Sequence, residues 1–359
     1  MARIDLEQYV YFPALRTRAA ELKGIELLNE ERKKNILPVF TLGRWPRATD
    51  FSRSAEKVRE IMGGLPYILD LTSDSRHLAE QHRALRNPAG SFEAWREFVA
   101  KEASSAVPVV QLVPEARARD VIKQAQLLEQ SFGVVAFRIK EFSTETPLVL
   151  SALSALNDAS SAVVIIDCQY IRGALAAYVA ATVATINRLR TEFPEILVVS
   201  MATSFPQSTV QFADPTQQRG SIDIQERELH SRIGGDAVSV YGDHASIHSV
   251  IYDDAPIMRW AARIDFPRDY DWYFERRPGN QSQEGYESAA RDICRNHPEI
   301  GKSNIWGEDM ILRAANGDPH AKAPGPWISV RVNIHLARQH DLSQRMRGAV
   351  DQDDFAEVS

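Results

Sequence analysis

The chain has 359 residues, 44% hydrophobic and 25% charged, a composition typical of a globular protein with a sizeable core. Its 42 Lys and Arg against 48 Asp and Glu give a net charge of −6, which argues against bulk binding to nucleic acid. Two distant cysteines, no membrane-length apolar run and a charged segment 1–11 exclude a disulfide framework, a bilayer span and a secretory signal, and favour a cytoplasmic setting.

The first predicted elements are a helix over 15–34 and a strand over 36–42. The helix is predicted from apolar residues at three- and four-residue spacing. The strand is predicted from a continuous apolar run, which is typical of parallel sheets. From there to about residue 277, short β-branched runs alternate with amphipathic helices. The next predicted strands are 66–71, 107–113, 134–140, 162–168, 196–201 and 237–241.

The pattern changes after residue 241. Two runs, 259–266 and 271–277, predict a β-hairpin, and either of its strands could be an eighth barrel strand. Helices are expected over about 285–340. The acidic end, 346–359, is expected to be disordered.

The alternation of strands and helices favours an α/β fold, namely a TIM-type (β/α)8 barrel with an N-terminal helical extension and C-terminal helices. We expect a single domain over 1–345, with its barrel core at about 36–277. An open, doubly wound sheet is the alternative. A sheet of that kind would be expected to have a glycine-rich phosphate-binding turn after its first strand, whereas segment 41–45 has one glycine.

Polar and charged residues end most of the predicted strands. Because the carboxyl ends of barrel strands converge on one mouth, these side chains would meet where barrels build their sites. Arginine and lysine there could bind an anion, and a buried carboxylate could serve as a general base. The candidate catalytic residues are Asp167, Asp243 and His244. The candidate substrate-binding residues at the strand ends are Arg44, Arg138, Lys140, Asp70 and Gln111. The alternative is that these charges pair only with one another and hold the strand ends in register.

Other chemistry has little support in the sequence. His244 and His248 have a spacing that suits two metal ligands on a helix, but segment 246–252 is at least as typical of a strand. A third ligand at a recognisable spacing is missing, so we predict no metal site, and any cofactor is unknown. Cys168 would need a neighbouring base to act as a nucleophile, and no hydrolase, zincin or calcium-loop motif is present.

Spaced residues at both ends of the chain resemble a known family. The segment Tyr11-x-Pro13-x-Leu15-x-x-Arg18-x-x-Glu21 resembles the opening of the beta family, named after a protein of a T-even bacteriophage. The C-terminal pattern is similar too, with Trp306-Gly307-x-Asp309-x-Ile311, Gly317, Trp327 and Asn333-x-His335-Leu336. The chain departs from the family at Arg18, where lysine is expected, and at Gly24-Ile25, where Ala-Leu is usual.

The resemblance covers about residues 9–340 and implies a barrel protein of phages or bacteria, suspected in phage–host conflict beside partner genes. It implies no settled reaction. It does give weight to Arg18 and Glu21 as residues that meet the barrel, so we add both to the candidate substrate-binding residues.

Three functional hypotheses follow. The first is a ligand- or partner-binding component of a phage-defence-type system, which would bind an anionic small molecule or a protein encoded by a neighbouring gene. The second is an enzyme for a phosphorylated or nucleotide-like substrate. In it, Asp167 or Asp243 would be the base, His244 the acid, and Arg138 with Lys140 the anion clamp. The third is a scaffold with an ion-paired mouth.

Overall fold

The computed structural model describes residues 4–74, 76, 78–250, 261–280 and 282–356, with side chains up to residue 348. Its strands are β1 (Tyr11–Arg16), β2 (Val39–Leu42), β3 (Tyr67–Leu71), β4 (Ala106–Pro108), β5 (Val135–Ile139), β6 (Ala162–Tyr170), β7 (Leu197–Thr203), β8 (Arg219–Asp223), β9 (Val240–Asp243), β10 (Ala262–Pro267) and β11 (Asp271–Arg277). Its helices are α1 (Ala19–Glu26), α2 (Glu30–Lys34), α3 (Ser52–Met62), α4 (Ala79–Leu85), α5 (Glu93–Glu102), α6 (Ala118–Phe132), α7 (Phe142–Leu153), α8 (Leu175–Glu192), α9 (Gln225–Arg232), α10 (Gln283–Asn296), α11 (Trp306–Ala315) and α12 (Pro324–Ala356).

Strands β1 to β7 and β9 form an eight-stranded parallel sheet in which neighbours follow chain order and β9 pairs with β1. The two ends of the sheet, β4 and β5, meet through a single bridge between Val109 and Ala136. There the Val110 N–H donates to the carbonyl of Ala136 at 2.9 Å. The sheet is therefore a nearly closed barrel, flanked by helices.

The barrel begins one strand earlier than the sequence predicts. Residues 11–16 form β1, so the predicted helix over 15–34 is corrected to the end of a strand followed by α1 and α2. Pro13 makes this strand hard to predict from the sequence. Proline lacks the N–H that donates to a neighbouring strand, so it usually argues against a central strand. The predicted strands from 36–42 to 237–241 correspond to β2–β7 and β9.

The predicted hairpin is present, since β10 and β11 pair antiparallel from Ala262 with Arg277 to Pro267 with Trp272. It does not supply an eighth barrel strand, because β9 already pairs with β1. Instead β11 pairs with β8, which gives a separate three-stranded antiparallel sheet. Residues 259 and 260 of the predicted hairpin lie outside the described part of the chain.

The interior of the barrel changes character along its axis. Its lower half is an apolar cluster built from alternate strand residues, which include Phe12, Val39, Ile68, Val163 and Val199. Because side chains alternate between the two faces of a strand, the next inward positions are two residues further along. On four strands the inward position nearest the carboxyl end is polar or charged, namely Thr41, Asp70, Arg138 and Asp167, whereas Ala14 on β1 and Met201 on β7 are apolar. The barrel therefore has an apolar base and a charged mouth.

The last helix, α12, packs against α1 at Gly24. A Cβ atom on Gly24 would lie 2.6 Å from Val332 Cγ1, so only glycine allows the two helices to come this close. The departure from the expected alanine thus has a packing reason. The backbone of α12 continues to Ala356, into the segment predicted to be disordered, and residues 357–359 lie outside the described part. Among the described helices, none has both the length and the apolar character to cross a membrane.

Candidate functional site

Arg138, on β5, joins two carboxylates across the mouth of the barrel. Its Nη2 lies 2.7 Å from Asp167 Oδ2, and its Nη1 lies 3.1 Å from Asp70 Oδ2. Nη1 also donates to Thr41 Oγ1 at 3.0 Å. All three charged side chains are almost fully buried, so this network forms the floor of the mouth.

The two carboxylates of this floor stay ionised. Burial alone would raise the pKa of Asp167, but its electrostatic interactions with His244 and Arg138 outweigh this effect and hold that pKa well below its usual range. The pKa of Asp70 is lowered in the same way by Lys140 and Arg138. Gln111 also donates to Asp70 Oδ1 at 3.3 Å, so it orients this acid and does not line the cavity above.

Lys140 lies above this floor, with its Nζ 3.6 Å from Asp70 Oδ2. Its pKa is lowered, first by burial and then by the charge of neighbouring Arg138. The ammonium group is therefore less stable here than in water, even with Asp70 beside it. An additional negative charge at this point would favour its charged form.

His244 lies at the edge of the same floor. Its Nε2 is 2.9 Å from Asp167 Oδ1, and its side chain is about one tenth exposed. A buried carboxylate that holds one imidazole nitrogen orients the ring for acid or base chemistry at the other. Asp167 itself is a poor base, because its oxygens already accept bonds from Arg138, His244 and the Gln169 N–H.

Asp243 lies elsewhere, although it precedes His244 directly. Its carboxylate accepts hydrogen bonds from Tyr11 at 2.6 Å, from Tyr241 at 2.9 Å and from His335 Nε2 at 2.9 Å. Because Trp272 donates to His335 Nδ1, His335 is neutral and carries its proton on Nε2. We name these five residues the closed cluster, since they are fully buried and none lines the mouth cavities.

Strand geometry explains this separation. Successive side chains of a strand point to opposite faces, so His244 faces the barrel interior while Asp243 faces the surrounding helices. Of the predicted catalytic residues, the structure brings together only Asp167 and His244. Burial would raise the pKa of Asp243, but its electrostatic interaction with His335, followed by the hydrogen bonds from His335 and Tyr11, keeps that pKa below the ordinary value.

A cavity of about 370 Å³ opens above the floor. Arg138, Lys140 and His244 reach it from below, and Arg16 and Glu21 from the side. Glu21 is buried and accepts hydrogen bonds from the Arg16 backbone N–H at 2.7 Å and from Arg16 Nε at 3.0 Å. This carboxylate therefore fixes the direction of the Arg16 guanidinium. Arg16 was not predicted as a site residue, because its strand was assigned to a helix.

A second cavity of about 420 Å³ adjoins the first and is lined by Arg18, Arg44 and Trp45. The two cavities share Arg16 and Thr41. Among the described residues, seven arginine and lysine side chains line the two cavities against two carboxylates. Adding the two aspartates of the floor still leaves seven cations against four acids, so the described part of the mouth carries an excess of positive charge.

The structure also bears on two other kinds of chemistry, a cysteine nucleophile and a metal site. Cys168 follows Asp167 but faces outward, with its Sγ 3.2 Å from Thr182 Oγ1. Burial raises the pKa of its thiol to about 12, so it is not a nucleophile. Within the described residues, no group of three or more His, Cys, Asp or Glu side chains is arranged to hold a metal ion.

Comparison with known proteins identifies the family. The family model described as Beta protein matches residues 11–341. The chain belongs to the Beta protein family. Protein beta of Enterobacteria phage P4 is 43% identical over 353 residues, which cover 98% of this chain and 99% of that protein. No solved structure matches the chain. The predicted family is confirmed, whereas its attribution to a T-even phage is corrected by this relative from phage P4.

The motifs that resemble the Beta family come from both ends of the chain, and the structure joins them. Tyr11 and His335 donate to the same carboxylate, that of Asp243. Asn333 accepts a hydrogen bond from the Gly307 N–H and donates to the carbonyl of Gly24, each at 2.9 Å. These motif residues therefore fasten α12 to the rest of the fold, and they lie outside the mouth.

Proposed function

We propose that this Beta family protein binds an anionic small molecule in the cavity at the mouth of its barrel. The observation that carries the proposal is the position of Lys140. Its ammonium group lies above a carboxylate already bound by Arg138, and burial together with that arginine lowers its pKa. A phosphate or carboxylate of the ligand would supply the missing negative charge.

The proposal also covers the class of fold and the cellular location of the protein. The order of strands around the barrel supports a TIM-type (β/α)8 barrel, in a single domain over 1–345. In that class the carboxyl ends of the strands carry the site, which agrees with the place of the cavity. The free thiols of Cys168 and Cys294 support a cytoplasmic setting.

The binding test compares wild type with Lys140→Gln by calorimetry, using inorganic phosphate and pyrophosphate. Arg138 still forms an ion pair with each of the two aspartates of the floor, so the variant should fold. We expect its pyrophosphate affinity to fall about tenfold, because a hydrogen bond between charged groups contributes on the order of 1.5 kcal/mol.

The matched control is Arg119→Gln, which removes the same charge from an exposed position on α6, outside both cavities. This control should keep the wild-type affinity. The binding proposal fails if the folded wild type binds neither probe, or if the two variants weaken binding equally.

The pair formed by Asp167 and His244 favours a second candidate, an enzyme for a phosphorylated or nucleotide-like substrate. Here His244 would exchange the proton with the substrate, and Asp167 would orient its ring. His244→Gln should abolish turnover of a nucleotide panel, followed by NMR, while pyrophosphate still binds. Equal turnover by wild type and variant would exclude this candidate.

We also propose that ligand binding serves in conflict between phage and host, together with a protein encoded by a neighbouring gene. The relative encoded by phage P4 supports this setting. The test is phage plating on cells that carry the locus with wild type or with Lys140→Gln. If both proteins protect the cells equally, Lys140 at the mouth is not needed for defence.

A further inference from the structure

The two adjoining cavities of the mouth make up two halves that differ in chemistry. Their linings have four residues in common, Arg16, Thr41, Thr72 and Asp74, so a ligand of sufficient length can contact both halves. Arg16 lies at the junction and is held there by Glu21. A ligand that fills both halves must therefore be long enough to pass this arginine.

The first half suits a compact anion. Arg138 belongs to its floor, Lys140 lies above that floor, and Arg16 lines it from β1. Arginine presents several N–H groups in one plane, which matches phosphate oxygens, while lysine adds a point charge. Each half has a volume within the range of small-ligand pockets, at about 370 and 420 Å³.

The second half suits a flat, polar ring. Trp45, Pro46 and Phe51 give it an apolar wall. Trp45 is half-buried and packs against the main core, so its ring is held in place. The guanidinium groups of Arg18 and Arg44 border the same space. Tryptophan and arginine planes are the surfaces on which nucleobases stack.

The loop that carries Trp45 is fastened at both ends. Thr17 Oγ1 accepts from the Gly43 N–H at 2.8 Å, and Ser54 Oγ donates to the Gly43 carbonyl at 2.6 Å. Phe51, at the other end, is fully buried. This half of the cleft is therefore formed before any ligand arrives, which limits the entropic cost of binding.

The turn within this loop stores backbone strain. The Ala48 N–H bonds the Trp45 carbonyl at 3.0 Å across Pro46 and Arg47. Arg47, in the third position, has φ of 64°, a conformation that normally takes glycine or asparagine there. An arginine kept at such a position beside a cavity is consistent with a binding role for the loop.

From these observations we infer that the mouth takes a nucleoside monophosphate, with its phosphate above Lys140 and its base against Trp45. The inference rests on the proposed anion-binding function and adds the ligand class to it. Because stacking tolerates different bases, it assigns no preference among them.

The test measures four ligands on the full chain by calorimetry: inorganic phosphate, adenosine, adenosine monophosphate and uridine monophosphate. Either nucleotide should bind at least about fivefold more tightly than phosphate, because stacking of one base contributes on the order of 1–3 kcal/mol. Trp45→Leu should remove this advantage and leave phosphate affinity unchanged. Trp45→Phe should retain most of it.

The control is Trp306→Leu, at a half-buried tryptophan that lines neither mouth cavity, and its nucleotide affinity should match wild type. If Trp45→Leu does not fold, Arg44→Gln replaces it, since Arg44 is exposed and belongs to the second half alone. That variant should bind the nucleotides more weakly than wild type and keep the wild-type affinity for inorganic phosphate.

The outcomes separate the two proposals. Equal affinity for phosphate and nucleotides would overturn the nucleotide inference and leave anion binding intact. Adenosine that binds as tightly as its monophosphate would overturn it too, because the phosphate would then contribute nothing. If neither phosphate nor nucleotides bind the folded protein, the anion-binding proposal itself is wrong.

Discussion

Asp167 and Asp243 are both buried carboxylates at the carboxyl ends of barrel strands, yet the protein stabilises their charges differently. Asp167 is bound by the cation Arg138 and by His244, inside the barrel and beneath a cavity. Asp243 is bound by the neutral donors of the closed cluster and by the Ala245 N–H at 2.8 Å. The barrel wall separates the two sites.

This difference separates a site that can respond to a ligand from one that cannot. Cations near a cavity can exchange part of their interaction with an aspartate for interaction with an incoming anion. Four neutral donors on one carboxylate leave no such freedom, and no mouth cavity reaches them. This difference supports the proposal that a ligand binds above the floor and that the closed cluster is structural.

The largest effect is expected for Arg138→Met, which leaves Asp70 and Asp167 buried without their shared arginine. Removing one partner of a buried ion pair costs about 3–5 kcal/mol, so the free energy of unfolding should fall by that amount in urea titrations. Arg138→Lys keeps the charge and should lose less. A loss below about 1 kcal/mol would show that the two acids do not depend on this arginine.

Glu226 is another buried acid, and Asp243 of the closed cluster contributes to its raised pKa. The pH dependence of stability therefore measures the cost of ionising it there. Its carboxylate accepts from the Ser204 N–H at 2.6 Å and from the Ser204 hydroxyl. Burial, with a contribution from the charge of Asp243, raises its pKa from 4.5 to about 7. Between these two pH values the folded chain keeps a proton that the unfolded chain loses, so this group lowers stability as the pH rises.

Glu226→Gln should remove this penalty. Relative to wild type, the variant should gain about 3 kcal/mol between pH 4.5 and pH 7, and no more above that, since one pKa unit corresponds to about 1.4 kcal/mol. Urea titrations of both proteins at pH 5, 6, 7 and 8 measure the gain. A difference that stays constant with pH would mean that Glu226 titrates normally in the fold.

The smallest effect is expected for Tyr241→Phe, which removes one of the neutral donors to Asp243. The loss in the free energy of unfolding should be about 1.5 kcal/mol, typical of one hydrogen bond to a charged group. Pyrophosphate affinity should stay at the wild-type value, because Tyr241 lies on the other side of the barrel wall. Weaker binding by this variant would show that the closed cluster and the mouth are coupled.

The sequence predicts most of the barrel because its strands are buried on both faces and appear as continuous apolar runs. The same property hides which residues face inward, since both faces are apolar and alternation gives no signal. For that reason Asp243 and His244 were assigned to one site, and the structure separates them. A charge at a strand end can be recognised from sequence, whereas its direction depends on register around the barrel.

The first strand shows a different limit. Pro13 within β1 and the helical spacing that follows favour a helix over residues now divided between β1 and α1. Arg16 and its partner Glu21 therefore could not be placed, although the family resemblance did select Glu21. Contacts between distant parts of the chain, such as the bond between Trp272 and His335, leave no local pattern that sequence reasoning can detect.

The position of His335 on the last helix has a consequence for how the chain is made. Synthesis runs from the N-terminus, so all eight barrel strands leave the ribosome before α12 exists. Until then Tyr11 and Tyr241 are the only side chains of the closed cluster that can donate hydrogen bonds to Asp243. The nascent barrel therefore carries an incompletely bonded acid in its wall until α12 has been synthesised and has packed against it.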